Sequence, residues 1–188
     1  MSDPAIITPT SAFPDQDILD HLANMDLRVI RGGGDGQLPG FAYETADGST
    51  ILRYLQDPDL EIPVIVVDGD QAQSLAIVLC KDIPHFPAAA AGLAFDPAAS
   101  SSVKFTLLKI LSAHALAEVT PAMTRAVTLA VVDPSPFIRL AGAQLFRYAQ
   151  TVEMAEIIRH KLVRDPDPDV RRYASEALAN FDDANRDN

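Results

Sequence analysis

The chain has 188 residues, 48% hydrophobic and 22% charged, with a formal net charge of −11 and one cysteine, Cys80. This length holds one domain or two small ones, and the apolar content excludes disorder over most of it. No stretch reaches the roughly 18–20 uninterrupted apolar residues of a membrane span, and a lone cysteine excludes an internal disulfide framework or a multi-cysteine metal cluster.

The Met1-Ser2-Asp3-Pro4 start is acidic where a secretory leader is basic, so a reducing cytoplasm is the expected compartment. Residues 1–100 hold 15 acids against four bases (Arg28, Arg31, Arg53 and Lys81), whereas residues 101–188 hold 11 of each. An acidic field of this kind keeps bacterial-type cytoplasmic proteins soluble. It also repels phosphate backbones and anionic lipid, so neither nucleic acid nor membrane is an expected partner.

In chain order, Asp17-Ile-Leu-Asp-His-Leu-Ala-Asn24 has helical spacing at Ile18, Leu19 and Leu22, with Pro14 and Asp15 to start it. Leu27-Arg-Val-Ile30 reads as a strand running into Gly32-Gly-Gly-Asp-Gly36. Phe41–Thr45 and Ser49–Leu55 flank Ala46-Asp47-Gly48, a hairpin signal. Pro63-Val-Ile-Val-Val67 is a β-branched strand closed by Asp68-Gly69. Ser74–Cys80 reads as a further strand, with a helix as the alternative. Strands outnumber helices and the connections are short, so residues 1–100 are expected to form an acidic α+β domain with a small, mostly antiparallel sheet.

Residues 84–101 are rich in Pro, Ala and Ser and read as a linker. Beyond them the texture is helical, and a repeat emerges. A shift of 32 lays Asp133-Pro-Ser-Pro-Phe-Ile-Arg139 over Asp165-Pro-Asp-Pro-Asp-Val-Arg171, and a fainter copy starts at Val103-Lys104, some 35 residues before Ile138-Arg139. Ser135 and Asp167 stand where N-caps belong, with Pro136 and Pro168 at the first helical position. Gly142 and Ala174 are small enough to admit a neighbouring helix. Second helices fall between the copies, at 121–132 and 152–163. The period of 32–35 residues is that of an α-solenoid.

Asp165-Pro-Asp-Pro-Asp-Val-Arg-Arg-Tyr-Ala-Ser-Glu-Ala-Leu178 resembles the HEAT-like repeat in the short form also found in phycobilin lyases. The resemblance spans about 102–182. It departs from the pattern at Phe137, where an acid is usual, and at Gly142, where alanine is usual. It implies an all-α HEAT-like solenoid of about five helices over 101–182, followed by a polar tail at 183–188. It also implies a pairing of the arginine after the β-branched residue with an aspartate of the adjoining turn. Asp133 and Asp165 precede Arg139 and Arg171 by six residues each.

The chemistry-bearing candidates favour bland readings. Gly32–Gly36 lacks a phosphate loop's Lys-Ser/Thr and spacing. The acids Asp57, Asp59, Glu61, Asp68 and Asp70 lack a calcium loop's remaining ligands, with Ala72 where one belongs. Cys80, despite Lys81 and His85 nearby, reads as a buried small hydrophobe. His21, His114 and His160 are isolated. No catalytic, cofactor-binding or metal residue is assigned, and no cofactor is expected.

The expected function is that of a non-enzymatic protein-interaction adaptor or scaffold, since HEAT-like arrays are mostly protein-binding scaffolds. Alternatives are a lyase or chaperone-like protein handling a bulky cofactor between the domains, or an acidic inhibitor or immunity protein. The expected partner-binding residues are Arg147, Arg159, Arg172, Tyr173 and Phe181. The partner is another protein or, as a homodimer, a second copy covering the last helix, with Tyr173 standing on its open side.

Overall fold

The computed structural model describes residues 4–10, 15–30, 40–56, 62–86 and 95–186. The chain divides into two compact units, Met1–Ala88 and Ala89–Asn188. Together they carry six strands and seven helices among the described residues, an α+β composition.

The first unit is an open antiparallel sheet. Its strands are β1 (Ala5–Pro9), β2 (Leu27–Ile30), β3 (Gly40–Thr45), β4 (Thr50–Gln56), β5 (Pro63–Gly69) and β6 (His85–Phe86), in the order β2-β3-β4-β5-β1-β6. The four valines and isoleucines at 64–67 are all buried, as suits a central β-branched strand. Period-two alternation sends Ile7, Tyr43, Leu52, Tyr54, Ile65 and Val67 into one core. The helices α1 (Asp15–Ala23) and α2 (Ala72–Asp82) fill it with Ile18, Leu22, Ala72, Ala76 and Leu79.

The expected strand at 74–80 is therefore a helix. Ala72, Ala76, Leu79 and Ile83 recur at spacings of four, three and four and form its buried stripe. The β-branched pair Ile77 and Val78, which favoured a strand, faces solvent.

The β3–β4 hairpin turns where Ala46-Asp47-Gly48 indicated. Asp47 Oδ1 accepts from Thr45 Oγ1 (2.6 Å), Ser49 N (3.0 Å) and Ser49 Oγ (2.9 Å), and Gly48 takes φ +70°. These bonds, led by that from Thr45, lower the Asp47 pKa to about 2. Gly69 ends β5 at φ +125°, and a Cβ there would lie 2.2 Å from the Ser49 carbonyl oxygen. Gly69→Ala combines a left-handed φ with a backbone clash and is expected to cost the first unit about 3 kcal/mol. Denaturant unfolding measures it, and a change below about 0.5 kcal/mol would contradict the close approach.

The second unit is helical: α3 (Ser101–His114), α4 (Pro121–Ala130), α5 (Pro136–Tyr148), α6 (Val152–Lys161) and α7 (Pro168–Ala184). The helices α3, α5 and α7 pack side by side in one layer, with α4 and α6 neighbours in a second. One continuous core fills the space between, including Leu111, Met123, Ile138, Phe146, Ile158 and Val170. Gly142 lies where α5 meets α4, and a Cβ there would come 2.9 Å from Ala130 Cβ. The segment expected as a polar tail begins inside α7, which continues to Ala184.

Two of the expected caps are built differently from one another. Asp167 accepts from the N–H groups of Asp169 (2.9 Å) and Val170 (3.2 Å). Ser135 stands at the N-cap of α5, but its side chain makes no cap bond. The turn before α5 is tied instead through Asp133, whose Oδ1 accepts from Ser135 N at 2.9 Å. No helix among the described residues is long and apolar enough to cross a membrane.

Candidate functional site

The polar chemistry of the second unit concentrates in the turns that precede α3, α5 and α7. All three begin with Asp-Pro, and in all three the aspartate Oδ1 accepts from the N–H two residues on. The pairs are Asp96 with Ala98 (2.8 Å), Asp133 with Ser135 (2.9 Å) and Asp165 with Asp167 (2.9 Å). The first of these turns lies in the segment read from composition as linker.

The second oxygen of each inner aspartate is gripped by a base from the preceding helix of the same layer. Lys104 Nζ of α3 donates to Asp133 Oδ2 at 2.7 Å. Arg139 of α5 donates through Nε to Asp165 Oδ2 (2.7 Å) and through Nη2 to Oδ1 (2.8 Å), a bidentate fork. Arg139 Nη1 also donates to the carbonyls of Asp133 and Pro134, both at 3.0 Å. The six-residue spacing thus links arginine to its own turn's carbonyl, while the carboxylate belongs to the base on the preceding helix of the layer. Sequence reasoning named Asp133, Arg139 and Asp165 but missed this step, and it missed Lys104 as a partner. The shared Asp-Pro dipeptides were the available signal.

These groups are buried: Asp133 is 8% and Asp165 4% exposed. Burial opposes ionisation of Asp133, but Lys104 and the Ser135 N–H hold its carboxyl below the usual range. The bonds from Arg139 do the same for Asp165, and Asp165 in turn raises Arg139. A depressed carboxyl pKa stabilises the fold fully above the unfolded value near 4, and that stability is lost as pH falls through the folded value. His114 adds an earlier step, because burial holds its pKa below 6.5. The expected melting temperature falls gently below about pH 6.5 and steeply below about pH 4. Melts of wild type and Asp165→Asn from pH 7 to 3 check this. The variant should melt lower at pH 7 and lose less on acidification, whereas equal pH slopes would contradict the assignment.

The outward side of the α3–α5–α7 layer carries a second series. Lys109, Gln144 and Glu176 occupy equivalent positions, as do Phe105, Leu140 and Arg172, at steps of 35 and 32 residues. Lys109 Nζ lies 4.8 Å over the Phe105 ring and donates to Gln144 Oε1 at 3.0 Å. Phe105 stacks on Phe137 at 4.3 Å between centroids. The series is buried at Lys109 and open at Arg172 and Glu176.

The five expected partner-binding residues separate. Arg147, exposed at the end of α5, donates to the Tyr173 hydroxyl at 3.4 Å, and the two line a cleft of 160 Å³ with Glu176, Ala177 and Asn180. Tyr173 therefore stands toward α5 and not on the open side of α7. Arg172 lies on the same outward side, 3.3 Å from Glu176 and 3.6 Å from Asp169. Arg159, on α6, pairs with Asp182 at 2.8 Å. Phe181 is 8% exposed and packs on Phe146, 5.7 Å between centroids, so it belongs to the core.

In the first unit Cys80 lies on the outer flank of the α2 stripe, and burial raises its thiol pKa, which disfavours the thiolate. His85 Nδ1 bonds the Ile83 carbonyl at 2.9 Å. Residues 32–36 and Asp57, Asp59 and Glu61 lie outside the described residues. Among the described residues no three His, Cys, Asp or Glu side chains cluster to hold a metal ion. In comparisons with known proteins, the chain matches no family model, no curated protein and no solved structure.

Proposed function

We propose that the chain is a non-enzymatic protein-binding adaptor whose second unit acts as a short HEAT-like array. The observation that supports this reading is the repeated clamp, Lys104 on Asp133 and Arg139 on Asp165. Buried charge in this unit holds helix to helix in a fixed step, and a fixed step is what a preorganised binding surface requires. The part of that surface offered to a partner is the outward side of α5 and α7, where Arg147, Arg172 and Tyr173 lie together. Arginine and tyrosine carry much of the binding energy at protein interfaces.

Affinity capture with the intact chain tests the reading. The wild type is expected to retain a protein partner in stoichiometric amount, and Arg147→Glu with Arg172→Glu is expected to lose it while melting normally. A partner retained equally by both would place the binding surface elsewhere. Turnover of a small molecule with no protein retained would overturn the adaptor reading.

A further inference from the structure

The clamp has one more step, which the described residues leave open. In α5, Arg139 is anchored through Nη1 to two carbonyls of its own turn, and its Nε–Nη2 edge grips the next aspartate. In α7, Arg171 repeats the anchor: its Nη1 donates to the carbonyls of Asp165 and Pro166, the same six and five residues upstream. Its Nε–Nη2 edge has no carboxylate partner among the described residues. The guanidinium is thus held as Arg139 is held, short of the one contact that α5 completes with α7.

The surroundings fit a continuation. Counting 32 residues on, Ala143 and Arg147 of α5 become Ser175 and Ala179 of α7, both exposed. Side chains this short let another helix approach closely. The buried Phe146 becomes Leu178, so the apolar floor is retained.

Resting on the reading of the chain as a binding protein, we propose that the outer side of α7 docks a helix of a partner protein introduced by an Asp-Pro turn. The partner's aspartate is gripped by Arg171 as Asp165 is gripped by Arg139. A second copy of this chain fits less well. Its Asp133 and Asp165 are already held, which leaves the Asp96 turn before α3. The side of α3 that would then meet α7 is already buried. Ile110 and Ala113, equivalent to Ala177 and Asn180 on the α5 side of α7, are 3% and 0% exposed.

The probe is a peptide of residues 164–184 of this chain, the Asp-Pro helix that α5 holds internally, titrated into the intact protein by NMR. Shifts are expected at Arg171, Ser175 and Ala179. Arg171→Lys keeps the charge but loses the fork, and should weaken binding about tenfold or more. The peptide with Asp165→Asn should do the same while leaving the protein untouched, so misfolding cannot explain the result. Equal affinity for the Asn peptide, shifts centred on Arg139 instead, or no binding at about 1 mM peptide would overturn the proposal. So would self-association of the wild type abolished by Arg171→Lys, since the occupant would then be a second copy. If the peptide fails while capture still retains a partner, the docking site is wrong and the adaptor reading stands. If both fail, both are wrong.

Discussion

Asp165→Ala is expected to lower the stability of the helical unit by about 3–5 kcal/mol. The substitution removes both bonds from Arg139 and the acceptor that ties Asp167 N into the turn before α7. It leaves the Arg139 guanidinium, whose side chain is only 12% exposed, without its counter-charge. A buried charge stripped of its partner costs far more than a surface pair, whose loss is worth about 0–1 kcal/mol. Arg171→Ala is the internal control. Its outer edge meets no carboxylate among the described residues, so it should cost much less. Urea unfolding followed by helical circular dichroism measures both. A loss below about 1 kcal/mol for Asp165→Ala would mean that the clamp is no more than a surface ion pair.

The second large effect is expected at Gly142. A Cβ at this position would lie 2.9 Å from the methyl carbon of Ala130, and neither group has a flexible end that can yield. Gly142→Leu should therefore force α5 from α4 and cost about 3 kcal/mol, exceeding the roughly 1 kcal/mol gained in helix propensity. Gly142→Ala sets that same gain against a smaller clash. Pairing it with Ala130→Gly exchanges the two groups and should recover most of the wild-type stability. A Gly142→Leu protein as stable as wild type would contradict the close approach of these helices.

The helical half was legible because its signals are local. Apolar residues at three- and four-residue spacing give the helices, and Asp-Pro-x-Pro marks where α5 and α7 start. The ladder joining the turns was not legible, because its partners lie 29 and 26 residues apart and nothing local distinguishes a carboxylate's own base from the previous one. Phe181 was misplaced for a related reason. A residue at the edge of an apolar stripe looks exposed until the ring it meets, Phe146, is placed. Tyr173 likewise follows from where α5 lies and not from its own helix.

In the sheet unit, the hairpin at Asp47-Gly48 and the run at 63–67 were readable from turn chemistry and β-branching. The strand β1 was missed because Ala5–Pro9 is short, contains a proline and shows no alternation. Its burial comes from pairing with β5, about 60 residues away, and with β6, and from packing against α2. Misreading α2 as a strand has the opposite origin. Ile77 and Val78 carry β propensity on a solvent face, where tertiary packing of Ala72, Ala76 and Leu79 overrides it.

The adaptor reading puts a partner protein on the helical unit, above all on α7 and the outward side of α5. Hydrogen–deuterium exchange of the intact chain, alone and with its captured partner, tests it most directly. Added protection is expected in residues 136–148 and 168–184, with the sheet unit unchanged. Protection confined to residues 4–86, or none anywhere at saturating partner, would contradict it.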